Sequence, residues 1–257
     1  MSQMQKLQQS KIPEVTLGFW IIKIIATTLG ETGGDAVSMT MNLGYAVGTL
    51  IFGGFFVVMV AAQVLAKRFH PALYWAVIVA TTTVGTTMAD FADRSLGTGY
   101  TGGSLLLFAL LMAVLAAWQW SVGSVSVDRI DTRKAEVFYW VTILFSNTLG
   151  TALGDFLANS GPGYEGGALI FSAALALVAV AYFRTAISRT ALFWTAFILT
   201  RPLGATLGDF ITKPHANGGL ELGRVTSSAV IVALMVVCVV LLPQRAGGHP
   251  GAASTES

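Results

Sequence analysis

Residues 139–155 read Tyr-Trp-Val-Thr-Ile-Leu-Phe-Ser-Asn-Thr-Leu-Gly-Thr-Ala-Leu-Gly-Asp. The frame of that stretch occurs four times in the chain. Phe19-Trp20, Tyr74-Trp75, Tyr139-Trp140 and Phe193-Trp194 open the four copies. Ten residues after each tryptophan stands a glycine: Gly30, Gly85, Gly150, Gly204. Fifteen residues after it stands an aspartate: Asp35, Asp90, Asp155, Asp209. A second block follows in each copy: Gly44-Tyr45 with Gly48, Gly99-Tyr100 with Gly103, Gly163-Tyr164 with Gly167, and Gly219-Leu220 with Gly223. Coincidence does not produce this, and a fixed period of this size is the mark of a repeat architecture.

Each copy is apolar and long enough for two membrane spans. Of 257 residues, 54% are hydrophobic and 11% charged, and the mean hydropathy is +0.70. Soluble domains carry about 25% charged residues, so this chain lacks the solvated surface such a fold needs. Spanning a bilayer takes roughly 20 apolar residues. Eight stretches qualify: 15–36, 43–65, 73–94, 102–121, 137–158, 166–183, 191–212 and 220–243. The expected fold is an all-α membrane protein with eight transmembrane helices, arranged as four parallel two-helix repeats (15–65, 73–121, 137–183, 191–243). Two spans per copy give all copies one orientation, hence pseudo-symmetry about the membrane normal. Repeat parity alone does not say which helices are central. One transmembrane domain, 15–243, is expected between an N-terminal segment, 1–14, without the features of a secretory signal, and a disordered tail, 244–257.

Ten of the fifteen Lys and Arg fall on one side of these spans: Lys6, Lys11, Lys67, Arg68, Arg129, Arg133, Lys134, Arg184, Arg189 and Arg245. Arg94, Lys213 and Arg224 fall on the other. The positive-inside rule then makes both termini cytoplasmic. A net charge of +2 offers no basic face to nucleic acid. The one cysteine, Cys238, lies in an apolar run and excludes an intrachain disulfide. His70, His215 and His249 are isolated loop or tail residues. No nucleophile–histidine constellation, phosphate loop or metal-hydrolase motif is present, so neither an enzyme nor a cofactor is expected. The expected partners are the lipid bilayer and a small inorganic cation, with homo-oligomerisation left open.

The aromatic-Trp pairs, Thr27-Thr28-Leu29-Gly30-Glu31, Leu153-Gly154-Asp155-Phe156 and Leu207-Gly208-Asp209-Phe210 carry a family resemblance. The chain resembles bacterial inner-membrane proteins with four copies of a repeat of unknown function, each holding two transmembrane segments and a tryptophan. The resemblance covers about 15–243 and implies the topology; it implies no activity and no catalytic residues. Repeat one departs at Gly33-Gly34-Asp35, and repeat four at Arg201-Pro202.

On each odd-numbered helix, the positions 7, 11, 15 and 18 after the tryptophan share a face. They hold Thr27, Glu31, Asp35 and Ser38; Thr82, Thr86, Asp90 and Asp93; Asn147, Thr151, Asp155 and Ala158; Arg201, Ala205, Asp209 and Thr212. Lys23 extends the first stripe. Six carboxylates against Lys23 and Arg201 leave a formal −4 on these stripes. A net-negative cluster within a membrane protein points to a bound cation. Asp35, Asp90, Asp155, Asp209, Glu31, Asp93, Thr27, Thr82 and Asn147 are the candidate ion ligands, with Lys23 and Arg201 as charge partners. Oxygen-only ligands suit hard ions such as Mg²⁺ or Mn²⁺. Glu31, the deepest carboxyl, is the expected proton-titrating acid, because burial favours the neutral form.

This gives a small-cation transporter or exporter, secondary active and proton-coupled. Two alternatives stand beside it: a passive cation channel, and a non-transporting scaffold or accessory subunit whose aspartates cap helices or join ion pairs. The glycines Gly30, Gly34, Gly85, Gly150, Gly154, Gly204 and Gly208 form small-x-x-x-small patterns for close helix packing. Trp20, Trp75, Trp140 and Trp194 are the expected interface anchors.

Overall fold

The structure, a computed structural model, describes residues 13–66, 68–123, 125 and 132–246. Most of the expected N-terminal segment and tail, and the middle of the loop between the two halves, lie outside the described residues. Within them run eight long helices: α1 (Leu17–Asp35), α2 (Gly44–Leu65), α3 (Pro71–Asp90), α4 (Gly99–Val122), α5 (Arg133–Asn159), α6 (Gly163–Arg184), α7 (Arg189–Thr212) and α8 (Arg224–Leu241). Hydroxyl caps start three of the odd helices. Thr16 accepts from the Phe19 amide at 3.2 Å, Thr132 from Ala135 at 3.2 Å and Ser188 from Ala191 at 3.4 Å; α3 instead starts on Pro71. Both choices suit the unpaired amides of a first turn.

Six helices are long and apolar enough to cross a membrane: α2, α3 with its extension to Ser95, α4, α5, α6 and α8. The chain is a multi-pass membrane protein. Helices α1 and α7 stand outside the six because Lys23, Glu31 and Asp35, and Arg201 and Asp209, interrupt their apolar runs.

The odd helices form the centre. α1 packs on α3, α3 on α5, α5 on α7, and α7 back on α1, closing a ring. Each even helix lies outside and rests chiefly on the odd helix of the following repeat: α2 on α3, α4 on α5, α6 on α7, and α8 round onto α1. Burial follows from this. Across their apolar windows α4, α6 and α8 are 11% buried, against 72% for α3. Leu105, Leu177 and Val230 accordingly face outward, as lipid-contacting side chains do.

The repeated glycines explain the closeness of the ring. A Cβ on Gly30 would sit 2.5 Å from Thr82 Oγ1. One on Gly85 would lie 3.5 Å from Asn147 Cβ, one on Gly150 2.9 Å from Arg201 Cβ, and one on Gly204 2.5 Å from Thr27 Cβ. In every case the glycine ten residues after one tryptophan receives the residue seven after the next. One turn on, Gly34 meets Thr86, Gly154 meets Ala205 and Gly208 meets Glu31. The small-residue stripe is thus the ring's cyclic seam, and van der Waals contact of this kind drives helix association in lipid.

The aromatic pairs obey the same rule. Phe19 packs on Trp75 at 5.6 Å between ring centroids, Tyr74 on Trp140 at 6.3 Å, Tyr139 on Trp194 at 6.4 Å and Phe193 on Trp20 at 5.6 Å. Eight rings close one end of the bundle. Trp75 and Trp140 are only 2% exposed, so where the sequence suggested lipid-interface anchors, the structure places these two inside the ring, gripping the neighbouring repeat.

At the opposite end the helices turn back. Short π-helical segments, Ala36–Thr40 and Phe91–Ser95, extend α1 and α3. Gly44, Gly99 and Gly163 then take φ of +77°, +66° and +69°. That left-handed step, which glycine makes at little cost, is why Gly-Tyr recurs where α2, α4 and α6 begin.

Candidate functional site

Inside the ring the polar residues lie in layers from the aromatic end to the aspartate end. First comes Lys23, fully buried, its ammonium 4.2 Å from the centre of the Phe197 ring. The equivalent positions in the other repeats are Ile78, Ile143 and Phe197.

The next layer is Thr27, Thr82, Asn147 and Arg201. Thr27 Oγ1 lies 3.1 Å from the Thr200 carbonyl, and Thr82 Oγ1 lies 3.2 Å from the Ala26 carbonyl. Asn147 Nδ2 donates to Thr81 Oγ1 at 3.1 Å. These three candidate ligands stitch adjacent ring helices together. Arg201, 1% exposed, reaches across the axis. Its Nη1 donates to the Thr27 carbonyl at 3.2 Å. Its Nη2 lies 3.3 Å from both Glu31 Oε2 and the Thr82 carbonyl, and 2.5 Å from Thr86 Oγ1. The Thr86 hydroxyl also donates to Glu31 Oε2 at 3.1 Å. A guanidinium and a hydroxyl are thus both aimed at one Glu31 oxygen.

The four aspartates form the last layer, all buried. Two cations pair them. Arg94 lies 3.0 Å from Asp90 and 3.4 Å from Asp155; Lys213 lies 3.0 Å from Asp209 and 2.6 Å from Asp35. Both cations stand nineteen residues after their tryptophans. Each bridges its own repeat's aspartate to that of the next repeat, so the aspartate layer has two-fold rather than four-fold pseudo-symmetry. Arg224 adds a contact to Asp35 at 3.4 Å, and Tyr45 accepts from Arg94 Nη1 at 3.0 Å. Burial alone would pull the Lys213 ammonium down. Asp209 and Asp35 outweigh it and hold the group well above the usual lysine range, so Lys213 is charged.

Arg94, Lys213, Arg224 and Tyr45 change the electrostatics expected from the stripes. Glu31, Asp35, Asp90, Asp155 and Asp209 are met by Arg201, Arg94, Lys213 and Arg224. With Lys23, which lies in the same column and pairs with none of them, five acids and five basic side chains sum formally to zero, not −4. Asp93 is not part of it. On the π-helical segment its carboxylate presses against Gly103 of α4, because the wider winding turns it off the axial face. Both of its oxygens lack hydrogen-bond partners among the described residues.

One group of carboxylates keeps the geometry of a cation site. Glu31, Asp35 and Asp209 each offer an oxygen within 4.8 Å of the others. Asp35 Oδ1 is buried with no hydrogen-bond partner. These residues come from the seam between the first and last repeats. Among the described residues, the contacts of the four aspartate carboxylates are to Arg94, Lys213 and Arg224.

The sequence matches the family model described as Repeat of Unknown Function (DUF347), at residues 18–69, 73–124, 138–188 and 192–243. The chain belongs to this family. Each match covers one tryptophan, one aspartate and one outer helix, the unit that the ring places four times. No curated protein and no solved structure matches the chain.

Proposed function

We propose that all eight helices span the bacterial inner membrane, with the aromatic end and both termini cytoplasmic, and that the protein is a proton-coupled secondary transporter of small hard cations. The reading rests on one observation: the oxygens of Glu31, Asp35 and Asp209 converge within 4.8 Å inside the ring. Oxygen donors alone favour Mg²⁺ or Mn²⁺ over softer ions. Lys213 already sits between two of these acids, at 2.6 and 3.0 Å. It acts as a tethered cation that a free one must displace, which makes entry an exchange. Such exchange, together with eight aromatic rings closing the far end, favours a carrier over an open channel.

The formal neutrality of the column supports a second reading, a membrane scaffold with structural ion pairs. Proteoliposome flux separates the two. Wild-type protein is expected to move Mn²⁺ or Mg²⁺ in response to a pH gradient, and folded Asp35→Asn/Asp209→Asn protein is not. Absence of flux for Mn²⁺, Mg²⁺, Ca²⁺ and Na⁺ in folded wild type would leave the scaffold.

A further inference from the structure

Where an outer helix rests on the ring, two repeated positions decide how well the joint is filled. One stands two residues after each ring tryptophan. The other stands twelve after the second glycine of each outer-helix block. They hold Ile22 and Met235 where α8 meets α1, and Val77 and Val60 where α2 meets α3. They hold Thr142 and Leu115 where α4 meets α5. Where α6 meets α7, both are alanine, Ala196 and Ala179. The cavities follow the side chains. Leu115 and Thr142 line a crevice of about 280 Å³; the equivalent crevice, lined by Ala179 and Ala196, is about 690 Å³. Ligand sites run from roughly 300 to 1,000 Å³, so only the second of these two has room for a substantial guest. Trp20 and Ile24 of α1 form its far wall. The crevice therefore straddles the joint at which the last repeat closes on the first, and the exposed Ala179 and Tyr182 leave it open to the outer face.

Length and polarity identify the guest. Along α7 the lining runs from Arg189 to Thr200, eleven residues, or about 16 Å. That is about half of a hydrocarbon core of roughly 30 Å, the depth of one leaflet. The deep part is apolar, with Ile24, Leu175, Val178 and Ala196. The mouth, at the aromatic end, carries one acid and one base, Glu14 and Arg189. The Arg189 guanidinium lies 4.3 Å from the centre of the Tyr182 ring and donates to the Tyr182 carbonyl. A guanidinium has five donors, so others remain for a phosphate, and the positive end of α7 adds to the attraction. We infer that this crevice holds one phosphatidylethanolamine molecule, its phosphate on Arg189, its ammonium on Glu14 and an acyl chain between α6 and α1. A glycerol headgroup has no cation for Glu14, and a choline has no N–H to donate. The bound lipid bridges the joint that closes the ring. The inference needs only a multi-pass membrane protein and stands apart from the transport reading.

Native mass spectrometry of the full chain in detergent tests this. The protein is titrated separately with phosphatidylethanolamine, phosphatidylcholine and phosphatidylglycerol of one acyl composition. Wild type is expected to retain one phosphatidylethanolamine, bound more tightly than either other lipid. Ala179→Leu/Ala196→Ile installs residue types that other repeats carry at these positions, fills the crevice and should abolish that retention. Glu14→Gln and Arg189→Gln alter exposed side chains and leave the packing alone. Each should weaken phosphatidylethanolamine binding about tenfold, the loss of one hydrogen bond to a charged group, and Glu14→Gln should also erase the preference over phosphatidylglycerol. Undiminished binding in the filled variant or in Arg189→Gln overturns the inference. So does a wild type that retains no lipid or prefers phosphatidylglycerol. Phosphatidylethanolamine with a photoreactive acyl chain locates the lipid in wild type, whether or not the filled variant folds. Crosslinks near Ala179 and Ala196 support the assignment, and crosslinks confined to other helices refute it.

Discussion

Replacing Arg201 with methionine removes the only guanidinium facing Glu31 among the described residues and leaves the shape of α7 largely intact. The side chains are 1% and 3% exposed and 3.3 Å apart. Breaking a buried ion pair from one side costs about 3–5 kcal/mol, because the surviving charge stays in a poor solvent. Thr86 offsets part of this through its 3.1 Å hydrogen bond to Glu31. The Thr27 and Thr82 carbonyls lose a donor from Arg201, but both lie within helices and have ladder partners. A loss of about 3 kcal/mol is therefore expected for Arg201→Met. Glu31→Gln should lose a similar amount by stranding Arg201. The double variant Glu31→Gln/Arg201→Met carries no stranded charge and should fall within about 1–2 kcal/mol of wild type, since apolar or neutral replacement of a whole buried pair is often close to neutral. Equilibrium unfolding in mixed micelles measures all four proteins. If the two single losses simply add in the double variant, to within about 0.5 kcal/mol, the pair is not coupled and the layered electrostatics described above are wrong.

Gly204→Ala should cost about 1–3 kcal/mol by overpacking, since its Cβ would lie 2.5 Å from Thr27 Cβ, whereas Gly33→Ala meets nothing within 4 Å and should stabilise by about 0.4–1 kcal/mol; unfolding in micelles compares them, and equal effects would contradict the cyclic seam. The folded value of Lys213 is raised above the unfolded lysine value of about 10.4. Its contribution is thus complete below that pH and is lost only as pH rises through the folded value. The melting-temperature difference between wild type and Lys213→Gln should be the same at about pH 7 and about pH 10; a difference that shrinks over that range would refute the assignment. In a Cys238→Ser background, an impermeant maleimide should label Asn217→Cys on intact cells and spare Ser188→Cys, and the reverse pattern would invert the proposed orientation.

Much of this architecture was legible in the chain. The Trp–Gly–Asp spacing marks four equivalent helices, and the stripe from Lys23 to Asp209 marks their polar face. The cyclic offset was not legible. Nothing in the order of residues says that α2 rests on α3 or that α8 returns to α1; the docking of Gly30 on Thr82 and Phe19 on Trp75 sets it. The counter-charges were half visible. Asp90–Arg94 and Asp209–Lys213 have the four-residue spacing of helical ion pairs. Assigning Arg94 and Lys213 to the outer-side charges leaves them out of the charge count of the stripes, however. The π-helical segment carries Arg94 back onto the axis and turns Asp93 away from it, a change of phase that a regular helical wheel does not contain.

Four identical repeats around one axis would bring four carboxylates together in a medium that solvates them poorly. Two departures relieve this. Arg94 and Lys213, in alternate repeats, tie the aspartates into two pairs and reduce four-fold to two-fold pseudo-symmetry. Lys23, Glu31 and Arg201 then break the two-fold, because their counterparts half a ring away are Ile143, Thr151 and Thr82. All three lie where the first repeat meets the last. The repeated sequence therefore builds the ring, and its exceptions place Lys23, Glu31 and Arg201 at one seam, where Asp35 also keeps an oxygen without a hydrogen-bond partner. A site made this way occurs once per chain despite the four-fold scaffold. The cation stoichiometry that follows from the proposed mechanism is accordingly one per protein, not four.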